Sequence, residues 1–163
     1  VGDNNLIDFK LVKNNIDDRL RLYAKATLPG GSAFKKAARV AGLQLINNIV
    51  NGSPKEPVVP PILTGRLRAS GSVFVGSKLE DTTEDRPVTE GSSTPATSHS
   101  DSDNIVTVGF NTPYAARWHE EVFNPGPFSE QSGDVGNKYI EKHLRSDGPE
   151  LMALFASVLG RSV

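Results

Sequence analysis

The sequence has no cysteine, and only one methionine and one tryptophan among its 163 residues. Without thiols there is no disulfide framework, no zinc–thiolate or iron–sulfur centre and no cysteine nucleophile. Three histidines are the whole supply of imidazole. Long apolar runs are lacking too: nothing approaches the roughly 20 apolar residues that span a membrane, and no signal-peptide pattern opens the chain. The expectation is a soluble protein made in a cytoplasm, with no membrane partner. Hydrophobic residues make up 37% of the chain, below the globular average. A chain of this length is expected to form one domain that folds without metals or crosslinks. The low apolar share points to one modest core carrying a large solvated or partner-covered segment.

Charge is present in both signs and unevenly placed. The net charge is −1, yet residues 1–80 hold 12 Lys/Arg against 6 Asp/Glu, whereas residues 81–163 hold 6 against 13. Halves of opposite sign suit a molecule that stacks or rings head-to-tail with its own copies. An uneven but solvated surface accounts for the same counts.

Along the chain, Leu6–Val12 is short and apolar-rich and reads as an edge strand or extended arm. Asn15 is the expected cap of a first helix that ends at Leu28-Pro29-Gly30-Gly31. The strongest helical signal runs from Ser32 to Val50. There Phe34, Ala37, Ala38, Ala41, Leu45 and Ile49 form one stripe, and Val40, Leu43, Ile46 and Val50 make much of the other side apolar. Such a helix is expected to be covered on more than one face. Pro57–Pro61 then leads into a strand reading of residues 62–76, in which Leu67, Ala69, Gly71, Val73 and Val75 alternate with Arg66, Arg68, Ser70 and Ser72. A second strand is Ile105–Phe110. Between them, residues 77–104 contain only Leu79, Val88 and Ala96 as apolar residues. A segment this polar cannot offset its ordering entropy by packing a core, so neighbouring subunits are its expected support. The C-terminal part reads as two helical stretches, about Lys138–Arg145 and Pro149–Leu159, separated at Ser146-Asp147-Gly148.

No arrangement of side chains spells out an enzyme. His119-Glu120-Glu121 is the one cluster of imidazole and carboxylate, but the zincin spacing H-E-x-x-H places Phe123, not histidine, at the second ligand position. A metal-dependent hydrolase built on His119 and Glu120 is the weakest of three readings. No G-x-S-x-G elbow surrounds Ser70, Ser72 or Ser132. Catalytic, cofactor and metal residues are therefore expected to be none. A basic set, Lys35, Lys36 and Arg39 on the long helix and Arg66 and Arg68 on a strand face, offers contacts to a DNA backbone or to a subunit. Interleaved aromatics and groove-reading motifs are lacking, so any DNA contact would ignore sequence. A non-specific DNA-binding accessory protein is the second reading.

The stretch Leu63-Thr64-Gly65-Arg66-Leu67-Arg68-Ala69-Ser70 is followed by Val106-Thr107-Val108-Gly109-Phe110, then by Pro113–Glu121 (PYAARWHEE) and Gly136–Leu144 (GNKYIEKHL). In this order the four stretches resemble the head–tail joining and tail-completion family of tailed bacteriophages, whose members include minor capsid, neck and minor tail proteins. Tyr139 and Ile140 stand where that family usually has Phe and Leu. The resemblance covers roughly residues 34–160. It implies an α+β fold: a long helix packed on a small antiparallel sheet, with a C-terminal helix and, here, a long polar hairpin loop. The expected division is an N-terminal arm and short helix over 1–31, then a single domain over 32–163 with an insertion at 77–104. Gly65 would turn tightly into the strand, and Tyr114 and Trp118 would close the end of the sheet. Trp118, His119 and Glu120 are the expected subunit contacts.

The implied function is structural: a virion protein assembled in the host cytoplasm, forming a ring at the head–tail interface around the DNA channel. Its partners would be its own copies, the portal-side adaptor and tail proteins on either side, and passing double-stranded DNA without sequence preference. No cofactor is implied.

Overall fold

The computed structural model describes residues 16–62, 64–84, 88, 102, 105–124, 126–130 and 134–162. Leu6–Val12, Asn15 and nearly all of the polar segment beyond Thr83 lie outside these residues. The chain is α+β. A first helix, α1 (Ile16–Thr27), turns at Leu28–Gly31 into the long α2 (Ser32–Asn51), and Gly30 takes a positive φ of 82° in that turn. A proline-rich passage leads to a single helical turn, α3 (Arg66–Ala69), then to β1 (Gly71–Val75) and β2 (Lys78–Thr82). β3 (Val106–Phe110), the short helices α4 (Ala115–Glu120) and α5 (Pro127–Glu130), and the long α6 (Tyr139–Arg161) complete the order.

The sheet is antiparallel with strand order β2-β1-β3. β1 is buried along its whole length, whereas among the described residues β2 and β3 form the two edges. Strand alternation sends Gly71, Val73 and Val75 of β1, together with Val106, Val108 and Phe110 of β3, toward α2. α2 sits between two layers, which explains its two apolar faces. Ile46 and Val50 pack with Val73, while Leu45 and Ile49 pack with Tyr139 and Leu151 of α6. Phe110 closes both groups, its ring edge-on to Tyr139 at 5.8 Å. The helix lies close to the sheet at Gly42, where a Cβ would come within 2.7 Å of Val73 Cγ1.

Three sequence expectations are corrected here. Residues 66–69 are helical, not strand: Gly65 adopts the left-handed region at φ 83°, and the Ala69 amide bonds back to the Gly65 carbonyl at 3.0 Å. Arg66 and Arg68 therefore lie on a helical turn and not on a strand face. Second, the polar segment after residue 76 begins as β2, joined to β1 by a two-residue turn at Gly76-Ser77, with Val75 opposite Lys78. Hydropathy could not show it, because an edge strand needs backbone pairing more than apolar side chains. Third, the C-terminal helix is continuous through Ser146, Asp147 and Gly148, with Pro149 inside it. The Asp147 carboxylate bonds to Asn48, to Ser53 and to His143 one turn earlier in the same helix.

Candidate functional site

Two stretches that are far apart in sequence meet at one cavity of about 740 Å³. One wall is Pro61, Ile62 and the α3 turn with Arg66; the other is Tyr114, Trp118 and Phe123, on and around α4. The first wall is held by hydrogen bonds between side chains and backbone. Arg68 Nε donates to the Pro60 carbonyl at 2.8 Å, and Ser129 Oγ both donates to the Ile62 carbonyl and accepts from the Ile62 amide. Ser70, fully buried, donates to the Leu67 carbonyl and accepts the Asn111 amide at 3.1 Å, tying the turn to the end of β3. Thr83 at the end of β2 donates to the Arg68 carbonyl at 2.6 Å and accepts the Gly71 amide at 2.8 Å. Leu67 is buried beneath the turn.

On the opposite wall Trp118 packs edge-on against Phe123 at 4.6 Å. The Arg117 guanidinium lies 5.9 Å from the Trp118 ring centre and pairs with Glu121 at 2.9 Å. The hydrogen bond and charge of Glu121 push the Arg117 pKa up. An aromatic and guanidinium lining suits a planar or apolar group.

His119 and Glu120 serve a local joint. His119 Nδ1 lies 2.8 Å from Glu120 Oε1, the imidazole rests edge-on against Tyr139 at 4.9 Å, and the His119 carbonyl accepts the Lys138 amide at 2.7 Å. Lys138 holds a positive φ of 55° at the start of α6, and its ammonium pairs with Glu120. The hydrogen bond from Lys138, then that from His119, holds the Glu120 carboxyl below its usual range. Burial pushes the Tyr139 phenol up. His119 Nε2 is buried with no hydrogen-bond partner among the described residues. Among those residues no three His, Asp or Glu side chains are placed to hold a metal ion.

The basic set falls on separate elements. Lys35, Lys36 and Arg39 lie on the first turns of α2, where Arg39 pairs with Glu80 of β2 at 3.2 Å. Arg66 lines the cavity and Arg68 is bonded to Pro60.

A polar cluster missed by sequence reasoning lies in the core. Asp147 and His143, both fully buried, stand one turn apart on α6, with His143 Nδ1 2.8 Å from Asp147 Oδ2. His143 Nε2 donates to the Val58 carbonyl at 2.8 Å, while Asp147 accepts from Ser53 Oγ at 2.7 Å and Asn48 Nδ2 at 3.0 Å. Burial works to raise the Asp147 pKa, but the bonds from His143, Ser53 and Asn48 outweigh it and hold the carboxyl below its ordinary value. Ser, His and Asp are all present here, yet the serine bonds to the aspartate and the imidazole faces a carbonyl, so no activated nucleophile results. The cluster ties α6 to the end of α2 and to the proline-rich passage. The spacing of four between His143 and Asp147 was its one sequence signal.

Comparison of the chain with protein-family models, with curated proteins and with solved structures gives no match.

Proposed function

We propose that the chain is a structural virion protein, a ring-forming component of the head–tail interface of a tailed bacteriophage that surrounds the DNA channel. The observation that carries this reading is the ordered set of four stretches, LTGRLRAS, VTVGF, PYAARWHEE and GNKYIEKHL, over roughly residues 34–160. Its support is that the first and third of them wall a single cavity of aromatic and guanidinium character. In this reading the cavity receives a side chain from an adjoining subunit, and the work of the protein is geometric. Copies repeat around the channel, with the portal-side adaptor on one side and tail proteins on the other. A heterologous contact that closes on itself gives such a ring.

Cryo-electron microscopy of intact particles tests the reading. The expected result is a closed ring of this chain at the joint between head and tail, with a neighbour's side chain seated between Arg66 and Trp118. Particles that lack the chain would overturn it.

A further inference from the structure

The two edges of the sheet are unlike. β2 carries Lys78, Glu80 and Asp81, and a register shift opposite Val73/Phe74 bends its pairing with β1. Charges and bulges of this kind deter a further strand from pairing. β3 reads Val-Thr-Val-Gly-Phe, has no charge, and among the described residues pairs with β1 alone. Alongside it runs a second cavity, an apolar groove of about 580 Å³ between β3, α2 and α6. Its lip is formed by Val106, Leu144 and Met152, and Leu144 and Met152 are 52% and 66% exposed. Side chains of this size left open beside an unprotected strand edge mark an interaction surface.

The occupant must supply a strand with one apolar face. Outside the described residues, one stretch of the sequence has that pattern. In Leu6–Val12, Ile7, Phe9 and Leu11 alternate with Asp8 and Lys10. Residues 85–104 offer only Val88 and Ala96 as apolar residues. At about 3.3 Å per residue, seven residues span roughly 23 Å, enough to cover a five-residue strand. The stretch lies three residues before α1, a helix that turns back on α2 and leaves Leu22 66% and Leu28 59% exposed.

We propose that residues 6–12 of a second copy add to the free edge of β3 as a fourth strand, with Ile7, Phe9 and Leu11 turned into the groove beside Leu144 and Met152. The inference rests on the ring reading for the identity of the partner, a second copy. It explains why one sheet edge is charged and the other bare. The contact is heterologous, arm into groove, so it repeats from copy to copy.

The native sequence is free of cysteine, so engineered pairs report without background. Asp8→Cys or Lys10→Cys in one tagged copy is mixed with Thr107→Cys in another and oxidised; strand alternation sets Thr107 opposite in sense to Val106 and Val108, as it would set Asp8 and Lys10 opposite to Phe9. The expected result is a disulfide between the two copies at one of the pairings, lost when Phe9→Asp is added to the arm-bearing copy. Amide exchange over Val106–Phe110 in the full chain is a second measurement, and Phe9→Asp is expected to speed it at least tenfold. No crosslink at either position, or a crosslink that forms only within a single copy carrying both cysteines, would overturn the proposal. Electron microscopy of the same samples separates the two ideas. Closed rings without the crosslink leave the ring reading standing and remove the arm, whereas crosslinked copies that never close into rings do the reverse.

Discussion

Ser53, Asn48, His143 and Asp147 come from α2, α6 and the passage after α2, and their hydrogen bonds satisfy the fully buried side chains of His143 and Asp147. Removing one member strands the rest, because a buried carboxylate that loses its imidazole keeps its desolvation cost. His143→Ala is expected to destabilise the fold by about 3–5 kcal/mol, read as a shift in the urea midpoint at unchanged slope. A loss below about 1 kcal/mol would mean that water replaces the ring. The pH dependence follows from the direction of the Asp147 shift. Its carboxyl titrates lower in the folded chain than in the unfolded one. The stabilisation is therefore complete above the unfolded value of about 3.9 and is lost as pH falls through the folded value. The stability gap between the native chain and Asp147→Asn is accordingly expected to be widest near neutrality and to narrow below about pH 4. A gap that stays constant down to the acid transition would refute the assignment.

At the scale of elements, α6 is the sharpest test, since sequence and structure disagree there. Ser146-Asp147-Gly148-Pro149 reads as a stop followed by a start, because Pro is favoured in a first turn. In the structure the helix runs through, and Pro149 lies exposed in its interior. Interior proline costs about 3 kcal/mol relative to alanine, part of which is returned by the stiffer unfolded chain. Pro149→Ala is expected to stabilise by about 1–2 kcal/mol, raising Tm by several degrees for a chain of this size. Were the helix broken at Gly148, the substitution would bring no gain. What was legible in the sequence follows the same logic. α2 announced itself, including its second apolar face, because Ile46 and Val50 repeat at helical spacing toward the sheet as Leu45 and Ile49 do toward α6. β2 did not, because Lys78-Leu79-Glu80-Asp81-Thr82 owes its place to the backbone of β1. The α3 turn was misread because Leu67 and Ala69 are buried, as a strand alternation would also have them. The departure was carried by Gly65 and by the Ser70 hydroxyl, which bind backbone and leave no periodic trace. The cavity residues Arg66, Tyr114 and Trp118 were each singled out, but their meeting at one cavity is a property of the fold.

At the scale of the whole molecule, the two chain halves of opposite charge interleave among the described residues. α2, from the basic half, lies between a sheet whose β3 comes from the acidic half and an α6 that comes from it entirely. Charges meet across the halves or close at hand: Lys55 pairs with Glu150 at 2.8 Å, and Arg39 with Glu80 at 3.2 Å. The Lys55–Glu150 pair, exposed on both sides, contributes at most about 1 kcal/mol and is screened by salt. The association proposed above, through the apolar groove beside β3, would depend little on ionic strength, whereas one driven by charge would depend on it steeply. Self-association of the full chain is expected to change by less than about threefold between roughly 0.05 and 0.5 M salt, measured by sedimentation velocity. Binding to duplex DNA through even five phosphate contacts would weaken by orders of magnitude over the same range. The two behaviours separate a surface made for copies of itself from one made for nucleic acid. Association that falls more than about a hundredfold with salt would place the contact on the charged faces, at Lys35, Lys36 and their neighbours, and away from β3.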